Sequence, residues 1–203
     1  MGRKSNAAER LVTAMASLVH QRGYLAVGVD DVCKAAGVKK GSFYHFFASK
    51  RDLMLAALDR QAQMGEQHLV GAAFSADLPP LKRIERLLET AGRLEASNKT
   101  RGGHVLGCPF GNLAAEVGGS EPLLTKRVDQ ALCKFSESIR DALVEAKRLG
   151  HVPRGLDVRK ATDAILAYFE GVMLLAKTRN DPSLIRRLGP MAVHLATHPQ
   201  RKG

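Results

Sequence analysis

Residues 32 to 50 read Val-Cys-Lys-Ala-Ala-Gly-Val-Lys-Lys-Gly-Ser-Phe-Tyr-His-Phe-Phe-Ala-Ser-Lys, and this stretch decides the fold. Val29, Val32, Cys33 and Ala36 repeat at the spacing of a short amphipathic helix, and Gly37 supplies a left-handed stop, with Val38 placed to pack back on that helix. Phe43, Phe46 and Phe47 then form an inward stripe, while Lys39, Lys40, Ser42, Tyr44 and His45 point elsewhere. Two short helices about a glycine turn, the second aromatic inside and basic and hydroxyl-bearing outside, have the layout of a helix-turn-helix. Held by its phenylalanines, the second helix can press Lys39, Lys40 and Ser42 into a DNA major groove at little entropic cost, leaving Tyr44, His45 and Lys50 to meet phosphates. Lys50 falls beside the start of the next predicted helix, where unpaired N–H groups favour an anion. A charge run by itself reads as a solvated face, and it is the spacing that favours the groove.

Working outward, Asn6 can cap a first helix carrying Leu11, Ala14, Met15, Leu18 and Val19, and Gly23 ends it. Ser49 caps a long fourth helix over 49–73, and the loop Phe74 to Leu78 is the expected module boundary. Pro79 and Pro80 open the next helix, Ser97 to Gly103 reads as a polar break, and Pro109 to Val117 is a short helix. Pro122 starts a long helix that stops at Gly150. From Val158 to Leu175 there are two apolar faces, and Leu184, Leu188, Met191 and Leu195 continue the pattern in a final helix. Such surplus apolar surface predicts a four-helix bundle shared with a second subunit, that is, a homodimer. His198 to Gly203 reads as a loose tail.

Composition agrees. The 27 alanines and 26 leucines against 4 isoleucines and no tryptophan favour an all-α chain. The net charge of +11 favours polyanionic partners, and residues 1–50 hold eight basic but only three acidic side chains, which places the attraction at the N-terminal end. No apolar run is long enough for a membrane span and the N-terminal segment is unlike a secretory signal, so the expected location is the cytoplasm. Cys33, Cys108 and Cys133 are too few and too scattered for a disulfide framework or a zinc site, and no cofactor is expected.

Gly23 to Leu25, Val32, Ala35 to Val38, Lys40 to Phe47 and Lys50 together resemble the N-terminal DNA-binding domain of TetR-type transcriptional regulators. The resemblance implies an all-helical homodimer, with a DNA-binding domain over 1–50 and a ligand-sensing and dimerisation domain over 51–203. It implies that Lys39, Lys40 and Ser42 face bases and that Tyr44, His45 and Lys50 hold phosphates of a double-stranded operator. Gly28 departs from the pattern, standing where many relatives place a Thr or Ser that both caps the helix and meets phosphate.

Gly107-Cys108-Pro109-Phe110-Gly111-Asn112-Leu113 is the other unusual stretch. Pro109 suits a first helical turn, so Cys108 falls at a helix N-terminus, where partial positive charge favours a thiolate; equally, it reads as a small apolar residue in a tight turn. The segment is similar to the Gly-Cys-x-x-Gly-Asn-Leu motif of a TetR subgroup whose members respond to N-ethylmaleimide, reactive chlorine or acrylate. That resemblance implies that Cys108 senses a small-molecule or electrophile inducer and, through Gly171 to Lys177, that Lys177 assists it. By itself Lys177 reads as a helix-end cation. Asn112 and Glu116 suit a pocket lining as well as they suit a turn cap and a solvated carboxylate. Cys33 and Cys133 lie on apolar stripes and are expected in the core.

The sequence therefore predicts a DNA-binding repressor, not an enzyme. A thiol enzyme using Cys108 with His104 or Lys177 is the alternative from another class, but no oxyanion donors, phosphate loop or paired carboxylates accompany the thiol. A binder that grips any duplex through charge alone is the third reading, separated from the first by sequence specificity.

Overall fold

The computed structural model describes residues 6–75 and 77–197, and all regular structure among them is helical. The helices are α1 (Ala7–Arg22), α2 (Val29–Ala36), α3 (Lys40–Phe46), α4 (Lys50–Gly65), α5 (Pro80–Gly102), α6 (Pro109–Val117), α7 (Pro122–Arg148), α8 (Val158–Thr178), α9 (Ser183–Leu188) and α10 (Met191–Thr197). Beyond α4 the chain continues through a π-helical turn, Glu66–Val70, and a last α turn, Gly71–Ala73. The tail predicted for His198 to Gly203 lies outside the described residues.

Local chemistry accounts for most boundaries. Gly37 takes φ +60, and Val38 N–H reaches back to Cys33 O at 2.9 Å, the bond that closes a helix through a left-handed glycine. Asn6 occupies the N-cap of α1 but its side chain makes no capping bond. Ser49 does cap α4: Asp52 N–H donates to its Oγ at 3.1 Å, and that hydroxyl donates to the Asp52 carboxylate at 2.8 Å. At Gly28 the cap works in reverse, its N–H donating to Asp31 at 2.8 Å, so α2 starts without a side-chain hydroxyl.

Two expected helix boundaries change. The polar stretch Ser97 to Gly102 is helical, because Asn98 bonds to Glu95 and Thr100 to Ala96 O within α5; the chain stops only at Gly103, φ +81. The single final helix is two, divided at Gly189 and Pro190, since proline has neither the N–H nor the room to continue a helix.

The chain divides into two compact units, residues 1–64 with 109–131, and residues 65–108 with 132–203. Thus α6 and the start of α7 group with the N-terminal helices rather than with the remainder of the expected 51–203 domain. Arg51 pairs with Glu121 at 3.9 Å, and Arg127 with Asp59, across the elements of the first unit.

In that unit α1, α2 and α3 pack on one another, and Leu11, Met15, Phe43, Leu53 and Met54 are fully buried. Only Phe43 of the expected stripe is a core residue. Phe46 is 36% exposed, and Phe47, just past the helix, is half-buried with its ring centroid 6.2 Å from that of Phe43. Burying one such ring contributes about 1.5–3 kcal/mol.

The second unit has its own core, from Ile84, Leu87 and Leu88 on α5, Ile139 and Leu143 on α7, Ile165 and Phe169 on α8, and Ile185 on α9. Phe135 and Phe169 meet at 5.2 Å. Cys33 is buried as expected, whereas Cys133 is exposed: the apolar stripe of α7 does not extend to it. Leu174, Leu175, Met191 and Leu195 stay exposed on α8 and α10.

Candidate nucleic-acid interface and sensing site

Helix α3 is short, and its orientation is set by the buried Phe43 and by the glycine turn before it. Lys39, Lys40, Ser42, Tyr44 and His45 are all exposed. Lys39, Ser42 and His45 line one open cleft of about 600 Å³. Lys40 turns instead to α2, its ammonium 2.8 Å from Asp30, which raises its pKa through the hydrogen bond and the opposite charge. Both partners are exposed, so the pair is a weak tie that a nucleic acid can exchange. Tyr44 sets its ring edge-on to Phe43 at 5.0 Å, which fixes the direction of its hydroxyl.

Lys50 does not reach outward. Its ammonium donates to Tyr24 O at 2.7 Å and lies 4.1 Å from the centroid of the Tyr24 ring. Burial pulls its pKa below the usual lysine range, while Glu116 and Glu121 push the other way. The same turn receives Glu116 of α6, whose carboxylate accepts from Tyr24 N–H at 2.6 Å and from Leu25 N–H at 2.7 Å. Gly23 is required here by its φ of +88, and a Cβ would stand 2.9 Å from Glu116 Oε1 and push that carboxylate off the turn. The turn after α1 is thus clamped between a carboxylate below its N–H groups and an ammonium on its carbonyl.

In the second unit the segment leading to Cys108 is pinned by two side chains. Glu95, buried on α5, accepts from Leu106 N–H at 2.7 Å and Gly107 N–H at 3.0 Å. Asn180, at φ +48 just past α8, accepts from Val105 N–H at 2.9 Å and donates to Gly103 O at 3.1 Å. Lys99 holds Asn180 O at 2.6 Å. Cys108 itself is half-buried against the core of this unit.

A polar neighbour of Cys108 is Glu170. Burial pushes the Glu170 carboxyl up, and a hydrogen bond from the Cys108 thiol draws it partly back. Its Oε1 is buried and has no hydrogen-bond partner among the described residues. Lys177 is exposed and lies seven residues beyond Glu170, two turns or about 10 Å farther along α8. Asn112 is half-buried, the fourth residue of α6, which belongs to the first unit.

Residues 11–57 match the family described as bacterial regulatory proteins, tetR family, and residues 80–190, more than half of the chain, match the tetracyclin repressor-like C-terminal domain. The chain belongs to the TetR family. It is 32% identical over 200 residues to the transcriptional regulator AcuR of Cereibacter sphaeroides, covering 97% of this chain and 88% of that one. It is 29% identical over 140 residues to the transcriptional repressor NemR of Escherichia coli K12, covering 69% and 61%. The crystal structure of a regulatory protein TetR from Rhodobacter sphaeroides superposes with a TM-score of 0.83 at 27% identity, over 95% of this chain and all of that one. These relatives are transcriptional regulators rather than enzymes, and this chain is a TetR-type transcriptional regulator.

Among the described residues of this TetR-family chain no group of three His, Cys, Asp or Glu side chains could hold a metal, and no helix is long and apolar enough to cross a membrane. His104 is exposed and supplies no cluster with Cys108. Three residues important to the geometry escaped sequence reasoning. Glu95 follows Leu88 by seven and Ala91 by four, on the apolar face of α5, and that position was the available signal. Asn180 follows a helix end, where asparagine often takes positive φ. Glu170 gave no signal, because its significance lies in a neighbour 62 positions away.

Proposed function

We propose that this regulator is an operator-binding repressor of the subgroup with the Gly-Cys-x-x-Gly-Asn-Leu motif, working as a cytoplasmic homodimer without a cofactor and released by a small-molecule or electrophile inducer at Cys108. The observation that carries DNA recognition is the exposure of Lys39, Lys40, Ser42, Tyr44 and His45 on a helix held by the buried Phe43. Lys39, Lys40 and Ser42 read base edges, and Tyr44 and His45 meet phosphates. Lys50 joins them only by leaving Tyr24. Leu174, Leu175, Met191 and Leu195 supply apolar surface for the second subunit.

For sensing, the support is the thiol–carboxyl pair of Cys108 and Glu170. As the sulfur bonds to an electrophilic alkene carbon, the thiol proton passes to the Glu170 carboxylate, the double bond opens, and its other carbon takes that proton from Glu170, which returns to the carboxylate. Lys177 completes the sensing set as a positioning residue on α8. The change at Cys108 has a route to the head, because α6 begins at the next residue and carries Glu116 to the turn after α1.

The test is an electrophoretic shift on the DNA upstream of the gene, in a Cys133→Ser background because Cys133 is exposed. N-ethylmaleimide abolishes the shift, and adding Cys108→Ser restores it. Normal release of Cys108→Ser by the native inducer replaces covalent sensing with reversible binding. Lys40→Ala and Ser42→Ala each narrow the preference for operator over random duplex by roughly 1–3 kcal/mol; unchanged preference removes α3 from base reading.

A further inference from the structure

Arg10 lies on α1, outside the helix-turn-helix. Its Nη1 stands 3.4 Å from where a Cβ on Gly37 would be, so the guanidinium rests against the turn that joins α2 to α3. Arg10 and Gly37 line the same open cleft of about 600 Å³ as Lys39, Gly41, Ser42 and His45. The cleft lining contains two cations, an imidazole and a hydroxyl, and no acidic side chain. Glu9, the nearest carboxylate in sequence, is engaged by Arg60 at 3.5 Å, and among the described residues no carboxylate pairs with Arg10 or Lys39. At Gly41 a Cβ would meet nothing within 4 Å, so the mouth of the cleft is unobstructed beside α3.

An exposed guanidinium with no carboxylate partner, backed by a glycine turn and lining an open cleft together with a lysine, is a fork for a tetrahedral anion. We infer that Arg10, at the edge of this cleft, binds a phosphodiester of the DNA backbone flanking the bases read by Lys39, Lys40 and Ser42. This rests on the DNA-binding reading above and adds to it a contact from α1. Phosphate contacts fix register and orientation without reading sequence, so Arg10 contributes equally on every duplex. The absence of a side chain at Gly37 and Gly41 lets the DNA backbone approach Arg10.

The experiment measures binding of the full chain to operator and random duplexes by fluorescence anisotropy across a salt series. Arg10→Gln weakens both duplexes by the same factor and makes the slope of log K against log salt shallower by about 0.9, the value of one lost phosphate contact. Arg10→Lys keeps the slope, which separates charge from any role of Arg10 in packing. An unchanged slope in Arg10→Gln, or a loss confined to the operator, overturns the inference while leaving DNA binding by α3 intact. A wild-type chain that binds neither duplex overturns both.

Discussion

Helix α3 presents Lys39, Ser42 and His45 to an open cleft, whereas the Cys108 thiol is half-buried beside a carboxyl whose Oε1 has no partner. The first surface needs only one helix, one anchor and a glycine turn; the second needs α5, α8 and the loop before α6 to be in place together. An exposed cationic face is stable without its ligand because water solvates it. A buried carboxyl is not at ease, and a polar group left unpaired inside costs about 1–3 kcal/mol. The face of α3 is thus complete before DNA arrives, while the region around Cys108 holds a carboxyl whose burial favours its neutral form.

The largest effect belongs to the anchor. Phe43→Ala removes a fully buried ring and destabilises the head by about 3–5 kcal/mol, with loss of DNA binding; urea unfolding followed by circular dichroism measures it. Should the variant bind DNA normally, Phe46 and Phe47 share the load and α3 is not held at one point. Next comes the clamp on the turn after α1. Glu116→Ala leaves Tyr24 and Leu25 N–H without their acceptor, costing about 1.5–3 kcal/mol, and hydrogen exchange at these two amides accelerates. Unchanged exchange would mean that Lys50 alone holds the turn.

The smallest effect is on Glu170, and its sign reverses the usual expectation for losing a carboxylate. Burial raises the folded pKa above that of the unfolded chain, so Glu170 supports the fold at acid pH and that support is lost as pH rises through the folded value. Glu170→Gln, which resembles the neutral form, therefore raises the thermal midpoint at pH 8 by roughly 2–4 °C, the shift that about 1 kcal/mol produces in a chain of this size, with little change near pH 4. A midpoint lowered at both pH values would show the carboxylate to be favourably held and would erase the contrast with α3.

Much of the fold was legible in advance because its signals are local. The Pro109 and Pro122 starts, the Gly37 stop and the Ser49 cap each act within one turn of the backbone. The reading failed where a local rule met a compensating contact: Ser97 to Gly102 stayed helical because Asn98 and Thr100 bond to their own helix, and Cys133 fell outside the packed part of its stripe. The same limit applied to Lys50. An ammonium at a helix start suits an anion, yet Tyr24, 26 positions earlier, offers both a carbonyl and a ring.

By itself, then, the chain determined its helices, its basic head and the exposed face of α3, because periodicity, caps and charge are properties of neighbours in sequence. Tertiary structure alone decided that Glu116 clamps the turn after α1, that Lys50 faces inward, that Arg10 leans on Gly37, and that Cys108 answers to Glu170. Each of these pairs residues 26 to 92 positions apart. No spacing rule reaches that far; only packing, by choosing which buried groups must satisfy one another, can bring them together.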